Sequence, residues 1–193
     1  MKKSLISGVI LSAWLWSVPL QAATVSLVPQ TPTVAEGGTL LVDLFMDATD
    51  SPGDKPGSYA GSVSVTFDDT LIDFSGFSFE PPVIQGSPAV TDLGDTVNLG
   101  FTNAFGGAAD SGLIGTFSFT ALPGSNGNTA NFGISDPNPF GSYFNFGDVT
   151  VGFTPEFEGA SAQVVPIPAA AWLFGSALFG LGGMARKKFA SRI

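Results

Sequence analysis

Residues 61–74 read Gly-Ser-Val-Ser-Val-Thr-Phe-Asp-Asp-Thr-Leu-Ile-Asp-Phe. Apolar and polar side chains alternate as far as Phe67, and the alternation starts again at Ile72. A period of two is typical of a strand that buries one face. Asp68 and Asp69 stand between the two alternating runs, and aspartate side chains favour turns. The stretch therefore predicts two β-strands joined by a turn.

The same period of two recurs along most of the chain. The alternating apolar positions are Val25 and Leu27; Leu40, Val42, Leu44 and Met46; Phe77 and Phe79; Val97, Leu99 and Phe101; Leu113, Phe117 and Phe119; Phe132 and Ile134; Phe144 and Phe146; and Val149, Val151 and Phe153. Turn-forming segments separate them at 36–38, 51–53, 123–127 and 136–139. About nine short strands without an amphipathic helix predict an all-β fold, a single antiparallel β-sandwich.

Three segments carry a family resemblance over most of this region: 35–44, 61–74, and 112–119 with its following turn at 124–127. Together they resemble the cohesin-like, carbohydrate-binding-module-like sandwich family, with a jelly-roll type of architecture. The resemblance implies a sandwich domain over residues 24–163 and a role in binding rather than catalysis. In that family the partner is a dockerin on a separate chain, and nothing in this sequence resembles the calcium loops of a dockerin.

The N-terminal residues have the three parts of a secretory signal peptide. Lys2 and Lys3 are followed by an apolar stretch at 5–16 and by Val-Pro-Leu-Gln-Ala-Ala at 18–23. Small residues at this position are typical of a cleavage site. We expect residues 1–23 to be a signal peptide cleaved after Ala22 or Ala23; the alternative is a retained membrane helix.

The C-terminal residues predict one transmembrane helix. Residues 169–185 carry no charge, and as a helix they would span roughly 25 Å, a little less than the hydrocarbon core. The basic residues Arg186, Lys187 and Lys188 follow immediately and favour a cytoplasmic end for the tail at 186–193. The alternative is a buried core helix.

The tail also resembles a family of sorting signals. Val165, Pro166, Ile167, Pro168 and Ala169 precede the apolar run and the basic end, an order that resembles the PEP-CTERM signal in its Val-Pro-x-Pro-Ala variant, over residues 164–193. The resemblance implies recognition by an exosortase, a membrane-embedded transpeptidase of Gram-negative bacteria that export polysaccharide. Processing near the motif would make the membrane anchor transient. The prototype motif has glutamate at the place of Ile167, which leaves the exosortase subtype open.

The charge of the central region limits its partners. All sixteen acidic residues lie between Glu36 and Glu158, where Lys55 is the only basic residue, so this region carries a net charge of −15. Such a field repels phosphate backbones and excludes nucleic acid as a partner. Divalent cations and neutral glycans remain compatible with it.

Few catalytic systems are possible in this chain. It contains neither histidine nor cysteine, which removes Ser-His and Cys-His nucleophiles and the usual zinc ligand sets. A glycosidase needs only two carboxylates, and Asp68, Asp69 and Asp73 lie close together in the sequence. We interpret the first two as parts of a turn between strands. Asp110-Ser-Gly, which has the form of an aspartic protease loop, occurs once and is interpreted as a polar turn.

Three carboxylates form a candidate metal site. Asp47, Asp50 and Asp54 follow the second predicted strand and offer the oxygen ligands that calcium prefers. The alternative is a solvated acidic loop, and no other cofactor is predicted.

We therefore expect an exported, non-enzymatic protein that is held briefly in the inner membrane and then joins the cell surface or the extracellular matrix, where it associates with exopolysaccharide or biofilm. The alternatives are a cohesin-type protein-binding module, a glycan-binding module and, more distantly, a carboxylate-dependent glycosidase. All three tryptophans lie in the terminal segments, so the domain lacks the indole rings on which sugars commonly stack.

Overall fold

A computed structural model describes residues 23–49, 60–103, 111–138, 143–146 and 150–166. These residues contain fourteen strands. The strands are β1 Thr24–Pro29, β2 Thr33–Ala35, β3 Thr39–Asp47, β4 Ala60–Thr66, β5 Ile72–Phe79, β6 Val83–Gln85, β7 Thr91–Asp92, β8 Thr96–Asn103, β9 Ser111–Ala121, β10 Thr129–Ser135, β11 Tyr143–Phe146, β12 Thr150–Phe153, β13 Glu156–Glu158 and β14 Ala160–Val165.

The strands form two sheets. The five-stranded sheet has the order β13-β1-β3-β9-β5, and the nine-stranded sheet follows β12-β11-β4-β10-β14-β2. In the second sheet β8 pairs along the whole of β4, and β6 and β7 pair with the far edge of β8. The connection between β6 and β7, residues 86–90, therefore lies at the edge of β8.

The core lies between the sheets and follows the period of two. Leu40, Val42, Leu44 and Met46 of β3 are buried, as are Val63 and Val65 of β4 and Val97, Leu99 and Phe101 of β8. Phenylalanines from β5 and β9 interlock at one side of the core; the rings of Phe77 and Phe117 meet edge to face with centroids 4.6 Å apart, an arrangement that aromatic pairs prefer.

The predicted all-β sandwich is confirmed, and its details differ from the expectation in three ways. The described residues hold fourteen strands rather than about nine, because strands of two or three residues such as β7 are too short to show a period. Two pairs, β1 with β13 and β14 with β2, are parallel. The last strand ends at Val165, two residues beyond the predicted domain boundary at 163.

Most of the predicted terminal signals fall outside the described residues. This applies to residues 1–22 of the signal peptide, to the apolar segment 169–185 and to the basic residues Arg186, Lys187 and Lys188. In the part of the chain that the structure describes, no helix has the length and hydropathy that a membrane span requires.

Candidate functional site

An apolar patch lies on the outer face of the five-stranded sheet. Because alternate side chains of β3 point to opposite faces, Leu41 and Phe45 face away from the core, where they are 36% and 38% exposed. Val28 on the neighbouring strand β1 is 50% exposed. We call Val28, Leu41, Phe45 and Leu113 the apolar patch.

The register of the strands makes this patch continuous. Phe45 pairs with Leu113 of β9, whose side chain is partly buried, and on the other side with Ser26 of β1. Val28 pairs with Asp43, which stands between Leu41 and Phe45 on the same face of β3. Side chains directly opposite each other on neighbouring strands have Cβ atoms about 5 Å apart. The four apolar residues therefore surround Asp43 on three adjacent strands.

Asp43 is the polar centre of the patch. Its Oδ1 atom accepts hydrogen bonds from Nε2 of Gln30 at 2.9 Å and from Oγ1 of Thr116 at 2.7 Å. Both donors bind the same oxygen, and no described residue donates to Oδ2. The two bonds fix the carboxylate in place on the face of the sheet, with one oxygen open to a donor from a partner.

The charge around the patch has a single sign. The described residues include twelve acidic side chains and neither lysine nor arginine. Among the acidic residues on the same sheet are Glu156 and Glu158 of the edge strand β13, both exposed. An anionic surface of this kind attracts cations and repels a second copy of itself.

The structure describes only one of the three predicted calcium ligands. Oδ1 of Asp47 accepts hydrogen bonds from the backbone nitrogen and the hydroxyl of Thr49, at 3.1 and 2.7 Å. These two bonds lower the pKa of Asp47. Asp50 and Asp54 lie outside the described residues, and within the described ranges no three acidic side chains come together as a metal site would require. The calcium site stays a prediction.

Asp68 stabilises the turn between β4 and β5. Its Oδ1 atom accepts hydrogen bonds from the backbone nitrogen of Thr70 at 3.0 Å and from the Thr70 hydroxyl at 2.5 Å. Its carbonyl oxygen accepts from the backbone of Leu71 and Ile72. These contacts agree with the interpretation of this segment as a turn.

We expect Thr70→Val to raise the pKa of Asp68. The Thr70 hydroxyl is the main cause of the lowered pKa of this carboxyl, and the Thr70 backbone bond is the second, so the variant should move the pKa only part of the way to its usual value. A carboxyl with a lowered folded-state pKa stabilises the fold above its unfolded pKa and loses that contribution as the pH falls through the folded value. A carboxyl NMR titration measures the change, with Thr129→Val as the control; an unchanged Asp68 pKa would contradict the assignment.

The first two residues of the predicted sorting motif belong to the folded domain or adjoin it. Val165 is the last residue of β14; it pairs with Ala35, and its carbonyl accepts a hydrogen bond from the backbone nitrogen of Glu36 at 3.3 Å. Pro166 is exposed directly after the strand. Ile167, Pro168 and Ala169 lie outside the described residues, so the motif itself stays a prediction.

The apolar patch was not predicted from the sequence. In the run Leu40-Leu-Val-Asp-Leu-Phe-Met46, apolar residues occupy both alternating sets of positions along the strand. Only the set that faces the core was used in the prediction. The sequence did contain a signal for the patch, since Leu41 and Phe45 are large apolar residues at the alternate positions that also include Asp43. Their neighbours Val28 and Leu113 come from strands whose pairing the sequence did not specify.

Comparison with solved structures shows the same fold in cohesin modules. No protein-family model and no curated protein sequence matches the chain. The seventh ScaB type I cohesin from Pseudobacteroides cellulosolvens superposes with a TM-score of 0.58 at 14% identity, over 76% of this chain and 94% of that one. The described domain thus has a cohesin-like β-sandwich fold.

Two other cohesin modules have similar structures. The sixth cohesin of scaffoldin B from Acetivibrio cellulolyticus, solved in complex with a Cel5 dockerin, gives a TM-score of 0.55 at 13% identity, covering 75% of this chain and 99% of that one. A cohesin module from a family 33 glycoside hydrolase of Clostridium perfringens gives 0.52 at 11% identity, covering 76% and 99%. At these identities the likeness concerns the fold.

Proposed function

We propose that this chain is a non-enzymatic protein-binding module, and that its apolar patch binds a separate protein whose apolar surface carries lysine or arginine. The observation that supports the proposal is the exposure of Val28, Leu41 and Phe45 around the fixed carboxylate of Asp43. The centre of a protein interface is typically apolar, and a few large side chains there provide most of the binding energy. The similarity to a cohesin solved with its dockerin supports a protein as the ligand class.

The charge distribution decides what kind of protein fits. The described residues carry no basic side chain, so an acidic partner or a second copy would meet like charge across the whole interface. A cationic partner would instead gain association rate from the field and could donate a hydrogen bond to Oδ2 of Asp43.

Site-specific photo-crosslinking tests this proposal. A photoreactive amino acid at position 41 or 45 of the full chain should crosslink to one envelope protein of the host, and the crosslinked peptide should contain lysine or arginine. The same probe at Asn131, exposed on the nine-stranded sheet, serves as the control. We expect the yield at positions 41 and 45 to fall as salt rises from 50 to 500 mM, because screening weakens charge attraction. Equal yields at Asn131, or an acidic crosslinked segment, would refute the proposal.

We further propose that the domain reaches its partner as an exported, exosortase-sorted protein of a Gram-negative surface or exopolysaccharide matrix. The sequence supports this route through its two terminal signals, and the structure contributes one fact, that β14 ends at Val165 with Pro166 exposed directly after it. A sorting enzyme would therefore meet its motif where the folded domain ends.

Mass spectrometry of the protein from its host tests the route. We expect the mature form to begin near Thr24 and to lack Trp172 and the residues after it. Deleting the exosortase of the host should restore the full C-terminal mass and leave the protein in the inner membrane. A wild-type protein that retains Ile193 would show that the tail is a permanent anchor.

A further inference from the structure

Asn126 and Gly127 form the one Asn-Gly pair in the sequence. They lie in the turn between β9 and β10, and both residues are exposed. Asparagine is most prone to deamidation when glycine follows it, because glycine has no side chain to shield its backbone nitrogen. The pair therefore makes this turn a candidate site of covalent change.

The side chain of Asn126 connects this turn to the turn between β2 and β3. Its Nδ2 atom donates a hydrogen bond to Oε2 of Glu36, a residue 90 positions away in the chain. The other oxygen of this carboxylate, Oε1, accepts from the backbone nitrogen of Gly124 at 2.6 Å. Hydrogen bonds to a carboxylate are stronger than those between neutral groups. We call Glu36, Gly124 and Asn126 the turn clamp.

The turn clamp lies beside the end of β14. The backbone nitrogen of Gly127 donates to the Val164 carbonyl at 2.9 Å, and the Val164 nitrogen donates to the Asn128 carbonyl at 2.9 Å. The backbone nitrogen of Glu36 donates to the carbonyl of Val165 at 3.3 Å. The end of this strand is therefore held between the same two turns that the clamp joins.

Deamidation of an Asn-Gly pair proceeds through a cyclic imide. The nitrogen of Gly127 would attack Cγ of Asn126, the bond between Cγ and Nδ2 would break, and Nδ2 would leave as ammonia with the proton of the Gly127 nitrogen. Water then adds to one of the two imide carbonyls and opens the ring to aspartate or isoaspartate. The reaction needs only water as a co-reactant.

The folded structure controls this reaction at the attacking nitrogen. As long as the end of β14 is paired, the Gly127 nitrogen donates its N–H to the Val164 carbonyl. Native proteins open locally at the ends of their strands, at a lower free energy than global unfolding requires. Each opening frees the Gly127 nitrogen to approach Cγ of Asn126. The turn clamp lowers the deamidation rate because it joins the two turns that hold the strand.

The products of deamidation do not rebuild the turn clamp. An aspartate at position 126 has no N–H to donate to Glu36, and it places a second carboxylate beside Oε2, where the two charges repel each other. Isoaspartate also adds a backbone carbon directly before Gly127, which displaces the nitrogen of Gly127 from the Val164 carbonyl. Both products therefore favour the open state of the strand end.

We propose that Asn126 is a deamidation site, and that its modification opens the end of β14 irreversibly. The change has one direction, since the ammonia released is lost to the solvent. It acts where the folded domain ends, directly before the exposed Pro166. The site is separate from the apolar patch, which lies on the five-stranded sheet, so this proposal does not depend on the proposed function.

Peptide mapping by mass spectrometry tests the site on the full chain, aged in detergent micelles at pH 8 and 37 °C. We expect Asn126 to deamidate, while Asn131, which is also exposed but is followed by phenylalanine, stays unmodified. Glu36→Ala removes the carboxylate of the clamp and should speed the reaction at least about threefold, because the strand end opens more often. If Asn126 were as inert as Asn131, or if Glu36→Ala left its rate unchanged, the proposal would be wrong.

Hydrogen exchange tests the consequence with Asn126→Asp, which reproduces one product. We expect the backbone amides of Glu36, Gly127 and Val164 to exchange at least about tenfold faster than in the wild type at pH 7, because the open state of the strand end is more populated. Asn131→Asp adds the same charge at an exposed position of β10 and serves as the matched control, with exchange like that of the wild type at these three amides.

A second substitution separates loss of the clamp from general damage. In the background of Asn126→Asp, Glu36→Gln exchanges the two roles, since the glutamine amide donates to the new carboxylate while its oxygen accepts from Gly124. We expect exchange to return to within about twofold of the wild type, and thermal melting to show that both variants are folded. Wild-type exchange in Asn126→Asp alone, or unchanged fast exchange in the double variant, would overturn the proposal. Either result leaves the protein-binding proposal intact.

Discussion

Replacing Phe117 with alanine is expected to lower the free energy of unfolding by about 3–5 kcal/mol, the usual cost of removing a buried phenylalanine ring. Phe117 of β9 is fully buried. Its ring centroid lies 4.6 Å from that of Phe77, 6.0 Å from that of Phe119 and 6.4 Å from that of Phe74. The alanine variant would leave a cavity that these rings can fill only in part, so both lost burial and lost packing contribute.

Urea unfolding of the full chain, followed by circular dichroism, measures this loss. The matched control is Phe45→Ala, because Phe45 lies on the outer face of the same sheet and is 38% exposed; we expect its cost to stay below about 1.5 kcal/mol. Equal costs for the two variants would contradict the assignment of Phe117 to the core and Phe45 to the surface.

The same strand links this core to the candidate site. Phe117 points inward, while its neighbour Thr116 points outward and donates one of the two hydrogen bonds that fix Asp43. A strand that loses its inward anchor would also position Thr116 less accurately. The chain has no disulfide to compensate, since it contains no cysteine.

Local patterns explain how much of this fold could be predicted from the sequence. The alternation in β3, β4, β8 and β9 showed which side chains enter the core, because the period of two is a property of each strand alone. The Asp68 turn was predictable for a similar reason, since its hydrogen bonds reach only as far as Ile72.

What could not be predicted depends on contacts between distant residues. The parallel pair of β14 with β2 joins residues about 130 positions apart in the chain, and neither short strand has enough residues to show a period. The backbone of Ser87 lies against Gly100, and the apolar patch depends on the register of β1, β3 and β9. A sequence pattern shows which side chains of a strand face the core, but it does not show which other strands lie beside it.

We expect the double variant Leu41→Asp with Phe45→Asp to weaken binding of the protein partner identified by crosslinking at least 100-fold. Each substitution removes an apolar contact and places a carboxylate beside Asp43, so a cationic partner would keep its charge attraction but lose the apolar surface that excludes water from the interface. The few residues that dominate an interface cost about 2 kcal/mol or more each when they are truncated, and they cluster near its centre.

The fold should tolerate this double variant, because both side chains point away from the core. We expect an unfolding free energy within about 1.5 kcal/mol of the wild type, which separates a loss of binding from a loss of structure.

The matched control is Leu93→Asp, since Leu93 is the most exposed of the large apolar residues described, at 60%, and lies beside β7 on the other sheet. Surface plasmon resonance with the immobilised partner gives the three affinities. If Leu93→Asp weakened binding as much as the double variant does, the added charge rather than the apolar patch would account for the effect. If the double variant bound like the wild type, the partner would have to bind another face of the sandwich.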